Sequence, residues 1–222
     1  VLAAYWSLID VAKSGSQSLL DGSVQDVTDE LESLLKSAIY QQMMADVPLG
    51  ALLSGGIDSS TVVALMQAQS DRPVKTFTIG FNEKGYNEAV YAEAVARHLG
   101  TEHNVLYVSP QQALDVIPNL PRLYCEPFAD SSQIPTFLVS QLAKQQVKVS
   151  LSGDAGDELF SGYNRYVLSQ KLWRNLSRLP ASFRTVAASG IRALPPSGWD
   201  IIARPFNVFA PKSLRLANIG DK

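Results

Sequence analysis

The stretch Leu49-Gly50-Ala51-Leu52-Leu53-Ser54-Gly55-Gly56-Ile57-Asp58-Ser59-Ser60 decides how the rest of the chain is read. Leu49–Leu53 is a short apolar run with the length of a buried strand. It breaks at Ser54-Gly55-Gly56, and Ile57–Ala68 then reads as a helix. A strand that runs through a glycine turn into a helix is the opening of a parallel β-α-β unit.

The pattern continues downstream. Val74–Phe81, rich in β-branched and aromatic residues, reads as a strand, and Asn87–Leu99 as a helix closed by Gly100. Asn104–Val108 is a further strand, and Ser109-Pro110 opens a helix with proline at its first position. Ile134–Gln146 reads as helix and Val147–Leu151 as strand. Ser152–Gly156 turns into a helix beginning near Asp157. Upstream, Ser23 with Asp26 three residues on makes a capping signature. Val24, Val27, Leu31, Leu34, Leu35, Ala38, Ile39 and Met43 then form one amphipathic stripe, which Pro48 ends. This alternation predicts the α/β class, a doubly wound parallel sheet with helices on both faces.

The ends read differently. Val1–Gly22 includes a run of small polar residues, Lys13–Gln17, with the character of a linker. Past Leu179, Pro180, Pro195, Pro196, Pro205 and Pro211 cut the chain into short helical pieces. The expected organisation is a linker over 1–22, a main domain over 23–178 and a helical tail over 179–222 belonging to that domain. The first residue is Val1 rather than Met, and the opening reads as the middle of a longer protein.

Composition narrows the function classes. With 19 Lys+Arg against 21 Asp+Glu the net charge is -2. The pI of about 5.7 argues against a dedicated nucleic-acid binder. Cys125 is the only cysteine, so neither an internal disulfide nor a Cys/His zinc site is available. No apolar run approaches the roughly 18 residues of a membrane span, and Val1–Ala12 lacks the basic start of a signal peptide. The expectation is a cytoplasmic protein that binds neither nucleic acid nor membrane.

Open parallel sheets bind ligands beyond the carboxyl ends of their strands, and two strands here end in Ser-Gly loops carrying acids. In the first loop, Gly55 and Gly56 let the backbone approach a ligand. Ser54, Ser59 and Ser60 offer hydroxyls, and the helix near Ile57 adds its positive dipole end. A phosphate chain fits such a site. Asp58 beside phosphates implies Mg²⁺ between them. Neither Gly-Lys-Ser/Thr nor Gly-x-Gly-x-x-Gly is present, so this is a different phosphate device. The second loop, Ser152-Gly153-Asp154-Ala155-Gly156-Asp157-Glu158, crowds carboxylates at one helix start. Asp58 and Asp157 could then clamp one Mg²⁺ against a diphosphate. On the residues alone, an ordinary tight turn for the first loop and first-turn helix acids for the second remain open. For Asp154, a capping or turn role stands beside a catalytic one.

Ser54-Gly55-Gly56-Ile57-Asp58-Ser59 resembles the pyrophosphate loop of the N-type ATP pyrophosphatases, also called PP-loop ATPases, whose fold is adenine nucleotide alpha hydrolase-like. Within that group, Leu151 through Tyr163 resembles glutamine-dependent asparagine synthetases, whose pattern is Ser-Gly-Glu/Asp-Gly-x-Asp-Glu-x-Phe-Gly-Gly-Tyr. Thr76 through Phe81 and Glu126 through Ser132 resemble the same family. The resemblance implies ATP-dependent amidation of aspartate to asparagine through a β-aspartyl-AMP intermediate, with AMP and pyrophosphate released. Ammonia would come from glutamine, through a glutaminase domain preceding this segment. By the same implication Ser54, Gly55, Gly56, Asp58, Ser59 and Ser60 hold the pyrophosphate, and Asp58 and Asp157 ligate Mg²⁺. Backbone groups at Leu53, Ile79, Ser152 and Gly153 seat the adenosine, and Asp154 takes the place of a catalytic acid that is commonly glutamate. The family also carries a downstream lysine that neither Lys171 nor Lys212 matches, so the fragment is expected to bind ATP with or without turnover. A homodimer fits the same resemblance. Two alternatives share the loops: a synthetase adenylating another carboxylate, such as a β-lactam synthetase or a polysaccharide- or peptide-amidating enzyme, and a non-catalytic ATP/AMP-binding module.

Other residues carry plainer expectations. His98 suits a helix C-terminus, His103 a strand edge, and Cys125 a buried apolar position. Asp130-Ser131-Ser132 reads as a cap for the helix that follows, with a substrate contact as the alternative. Tyr163, Arg165 and Tyr166 suit either an amino-acid pocket or packing, and Trp173 and Trp199 suit a core or an interface.

Overall fold

A computed structural model describes residues 4–82, 87–126 and 130–193. Two helices come first: α1 (Leu8–Gln17) and α2 (Val24–Met43), the latter opened by a reciprocal Ser23–Asp26 capping box. Then β1 (Leu49–Leu52), α3 (Ile57–Gln67), β2 (Lys75–Phe81), α4 (Ala89–Leu99) and β3 (Glu102–Val108) alternate. After α5 (Pro110–Val116), a 3-10 turn at Ile117–Asn119 and α6 (Leu120–Tyr124) lead to α7 (Gln133–Lys144) and β4 (Val149–Leu151). The last described elements are α8 (Gly156–Phe160), α9 (Asn164–Leu176) and α10 (Ala181–Ala193).

The sheet is parallel, in the order β3-β2-β1-β4. Leu52 pairs with Phe77, Ala51 with Leu151, and Ile79 with Leu106. Side chains alternate across it. On one face Ala51 and Leu53 pack with Ile39 of α2, Val63 and Met66 of α3, and Ala92 and Ala96 of α4. On the other, Leu52 and Phe77 meet Val139, Leu142 and Ala143 of α7, and Ile79, Phe81 and Val108 meet α5 and α7. Helices therefore cover both faces, as the alternation predicts. The chain runs outward from β1 through β2 to β3 on one side, and β4 flanks β1 on the other. The order reverses between β1 and β4, the kind of switch point beyond whose carboxyl ends open parallel sheets bind ligands.

The chain divides into two compact units, Val1–Asp157 and Glu158–Lys222. That division falls within the segment read as one domain over 23–178. In the second unit, Arg184 stacks on Trp173, 5.2 Å from the ring centroid. Among the described residues, no helix is long and apolar enough to cross a membrane.

Several local expectations need correction. Lys13–Gln17, read from its small polar residues, is helical: it completes α1, whose Ser7 cap accepts from the Asp10 amide at 3.4 Å. The fourth strand is shorter than Val147–Leu151, because the Val147 amide still serves the end of α7, donating to Ala143 O at 2.9 Å. Cys125 is exposed, not buried; it ends α6 in the left-handed region at φ 61°. His98 lies in the last turn of α4, as read. Asp130 accepts from the Ser132 amide at 2.8 Å just ahead of α7, and this bond holds its carboxyl below the usual range. Pro127, Phe128, Ala129 and Trp199 lie outside the described residues.

Candidate functional site

Everything in the first loop follows from how β1 ends. The Leu53 amide donates to Phe77 O at 3.0 Å, one rung beyond the strand, and the Leu53 carbonyl accepts from the Thr78 hydroxyl. Gly55 then takes φ +82°, a conformation that L side chains rarely adopt. A Cβ at Gly55 would sit 2.6 Å from the Ala92 amide nitrogen, so the loop lies directly on the start of α4. Ser59 closes the turn from inside. Its buried hydroxyl accepts from the Ser54 amide at 3.2 Å, lies 3.0 Å from the Ser54 hydroxyl and donates to Gly56 O at 3.3 Å.

This closure leaves donors facing outward. The amides of Ile57, Asp58 and Ser59, in the first turn of α3, have no acceptor among the described residues. The Ser60 hydroxyl is buried and has no partner among the described residues. Free amides at a helix N-terminus are an anion site. The donor set thus fits a phosphate chain.

The second loop leaves β4, the strand beside β1, at the same end of the sheet. The Ser152 hydroxyl donates to the Asp154 carboxylate at 2.9 Å, and the Gly156 amide reaches back to Gly153 O at 3.3 Å. Ala155 stands at φ 70°, at the position where the asparagine synthetase pattern carries glycine. That strain, of order 1 kcal/mol or more, is held by the surrounding turn.

The two loops touch. A Cβ on Gly153 would lie 2.5 Å from the Ser59 amide nitrogen and 2.8 Å from Asp58 C, and one on Gly156 would strike the Asp58 carboxylate. Asp58 therefore rests against the residue preceding Asp157. Both aspartates are half-buried, whereas Asp154 is exposed. Among the described residues, no three His, Cys, Asp or Glu side chains converge on a metal position. A cation here would draw its remaining ligands from phosphate and water, as Mg²⁺ does.

Ser54, Gly55, Gly56, Asp58, Ser59, Ser60, Ser152, Gly153, Asp154 and Asp157 thus gather on two adjoining loops. Leu53 and Ile79 lie at the ends of β1 and β2 that border them. Sequence reasoning missed Thr78, whose role depends on cross-strand register and has no local signal. In the second unit, Tyr163 donates to Glu158 at 2.6 Å, which lowers the Glu158 pKa, and Arg165 stacks 4.1 Å from the Tyr163 ring centroid. An open cavity of about 310 Å³ lies elsewhere, at the amino end of β3, lined by Glu93, Ala96, Arg97, Thr101, His103 and Val105.

Comparison with known proteins agrees with the loop chemistry. The asparagine synthase family model matches residues 30–218. A putative glutamine-hydrolyzing asparagine synthetase 2 of Methanocaldococcus jannaschii is 37% identical over 185 residues, which is 83% of this chain and 34% of the relative. The glutamine-hydrolyzing asparagine synthetase 1 of Bacillus subtilis is 36% identical over 180 residues, 79% of this chain and 28% of that protein. This chain thus spans about a third or less of these relatives. Among solved structures, the NMN synthetase of Francisella tularensis aligns at TM-score 0.42 with 15% identity, over 64% of this chain and 60% of that one.

Proposed function

The chain belongs to the asparagine synthase family, and on that premise we propose that it carries the ATP-dependent step that converts aspartate to asparagine. The observation that carries the reading is the contact of the two loops, with Gly153 and Gly156 packed on Ser59 and Asp58. It brings the helix start with its free amides and the second acidic turn together at one end of the sheet.

In this reading the β-phosphate and γ-phosphate of ATP lie against the amides of Ile57, Asp58 and Ser59 and the hydroxyls of Ser54 and Ser60, while the Ser59 hydroxyl, which donates to Gly56 O, holds the turn that presents them. Gly55 and Gly56 allow the close approach. Leu53, Ile79, Ser152 and Gly153 seat the adenosine through backbone groups. The aspartate carboxylate attacks the α-phosphorus, its oxygen forms the new P–O bond, and pyrophosphate departs with the electron pair of the bond that breaks. Ammonia then attacks the acyl carbon, AMP leaves, and the nitrogen gives up a proton. In this reading Asp154, to which the Ser152 hydroxyl donates, takes it. Asp58 and Asp157 would hold Mg²⁺, which supplies charge neutralisation for the departing pyrophosphate. The nitrogen would come from glutamine through a separate glutaminase domain of the whole protein.

Aspartate-dependent exchange of labelled pyrophosphate into ATP tests the reading on the full protein. The expected result is exchange that requires both aspartate and Mg²⁺. Exchange with another carboxylic acid but not aspartate would reassign the substrate. ATP binding with no exchange for any acid would leave a nucleotide-binding module.

A further inference from the structure

Where β1 ends, one hydrogen bond of the sheet is made by an unexpected partner. In a parallel pair, alternate residues of β2 turn both their N–H and C=O toward β1. The register Leu52–Phe77 and the bond from the Leu53 amide to Phe77 O identify Phe77 and Ile79 as those residues. The next rung would run from the Ile79 amide to the Leu53 carbonyl. It is not made: that carbonyl accepts from the hydroxyl of Thr78, a side chain only 3% exposed. The N–H and C=O of Ile79 are left directed past the end of β1 with no backbone partner among the described residues.

We propose that Thr78 is a positioning residue for base recognition: by holding the Leu53 carbonyl it keeps the Ile79 N–H and C=O free for the edge of adenine. The inference rests on the nucleotide reading above. Adenine presents an acceptor, N1, beside a donor, its amino group. One strand residue offers the complementary donor and acceptor on one side. Guanine presents the reversed pair, a donor at N1 and an acceptor at O6, and meets a mismatch at both atoms. If the Ile79 amide were instead committed to Leu53, the donor half of this recognition would vanish. The hydroxyl thus stands at the carbonyl that the next rung of the ladder would use, and the Ile79 amide is left to read a base.

Calorimetric titration of AMP and GMP into the full chain tests this, and omitting the pyrophosphate isolates the base. Wild type is expected to prefer AMP. Thr78→Val, close in shape but without the hydroxyl, should weaken AMP about tenfold and leave GMP nearly unchanged, narrowing the preference. Thr78→Ser should keep the wild-type preference, and a purely structural role would not produce this split between bases. The proposal is overturned if Thr78→Val binds AMP as wild type does, if Thr78→Ser loses the preference while folded, or if wild type binds AMP and GMP equally. Failure of wild type to bind any adenine nucleotide would also remove the functional reading. Loss of the Thr78 effect alone, with aspartate-dependent exchange intact, would remove only this inference.

Discussion

The two loops at the carboxyl end of the sheet are organised in opposite ways. Ser54–Ser60 is closed by its own side chains: the Ser59 hydroxyl bonds to both ends of the turn, and Gly55 is seated on the backbone of α4. Among the described residues Ser152–Asp157 has one side-chain bond, from Ser152 to Asp154, and it holds Ala155 at positive φ. Its position comes from resting Gly153 and Gly156 on the first loop. The first loop is a platform built by the fold, and the second is fitted to it. The first loop is therefore expected to be rigid before any ligand arrives, while the second acidic turn depends on its neighbour.

That contrast can be broken most severely at the glycines. Gly55→Val should cost about 3 kcal/mol or more, because left-handed backbone strain adds to overlap with α4. Denaturant melting would show it as a loss of the whole fold's stability. Gly153→Ala should cost less, about 1–2 kcal/mol, yet weaken MgATP binding about tenfold or more by pushing the loops apart. Equal stability losses at the two sites would erase the distinction. A finer probe is the serine pair. Ser59→Ala removes the bonds of a buried hydroxyl and should cost about 1–2 kcal/mol, whereas Ser152→Ala should stay within about 0.5 kcal/mol.

The smallest effect lies at the amino end of the sheet and serves as a control. Burial lowers the His103 pKa below its ordinary 6.5, and the charge of Glu93 partly offsets that shift. The unfolded chain therefore takes up a proton before the folded one does. Stability should fall as pH drops below that ordinary value, and the decline should stop once the folded imidazole also protonates. His103→Gln should flatten the slope in urea titrations without changing MgATP affinity at about pH 7.5.

Much of this was legible in the chain. The strand–glycine–helix pattern at Leu49–Ser60 and the acids of Ser152–Glu158 located both loops, because glycine, serine and aspartate declare turns locally. Less legible was anything set by distant partners. The Thr78 hydroxyl reaches Leu53 across 25 positions of sequence, through a register that neither segment specifies alone. Gly156 abuts Asp58 only because β4 pairs beside β1. The helix over Lys13–Gln17 was hidden for another reason: its small polar residues have weak helix propensity, but they continue a helix already started by the Ser7 cap and Leu8, Ile9 and Val11. Cys125 carries no signal for a left-handed turn, since non-glycine residues adopt one only where the surroundings impose it.

The central claim is that the loops act on one cation together, and a double-mutant cycle on Asp58 and Asp157 tests it most directly. Mg²⁺-dependent ATP binding would be titrated for wild type, Asp58→Asn, Asp157→Asn and the double variant. A shared ion predicts that each single change removes most of the Mg²⁺ dependence and that the double variant is little worse than either, a coupling of about 1 kcal/mol or more. Losses that simply add, or wild-type ATP binding indifferent to chelation of Mg²⁺, would contradict it.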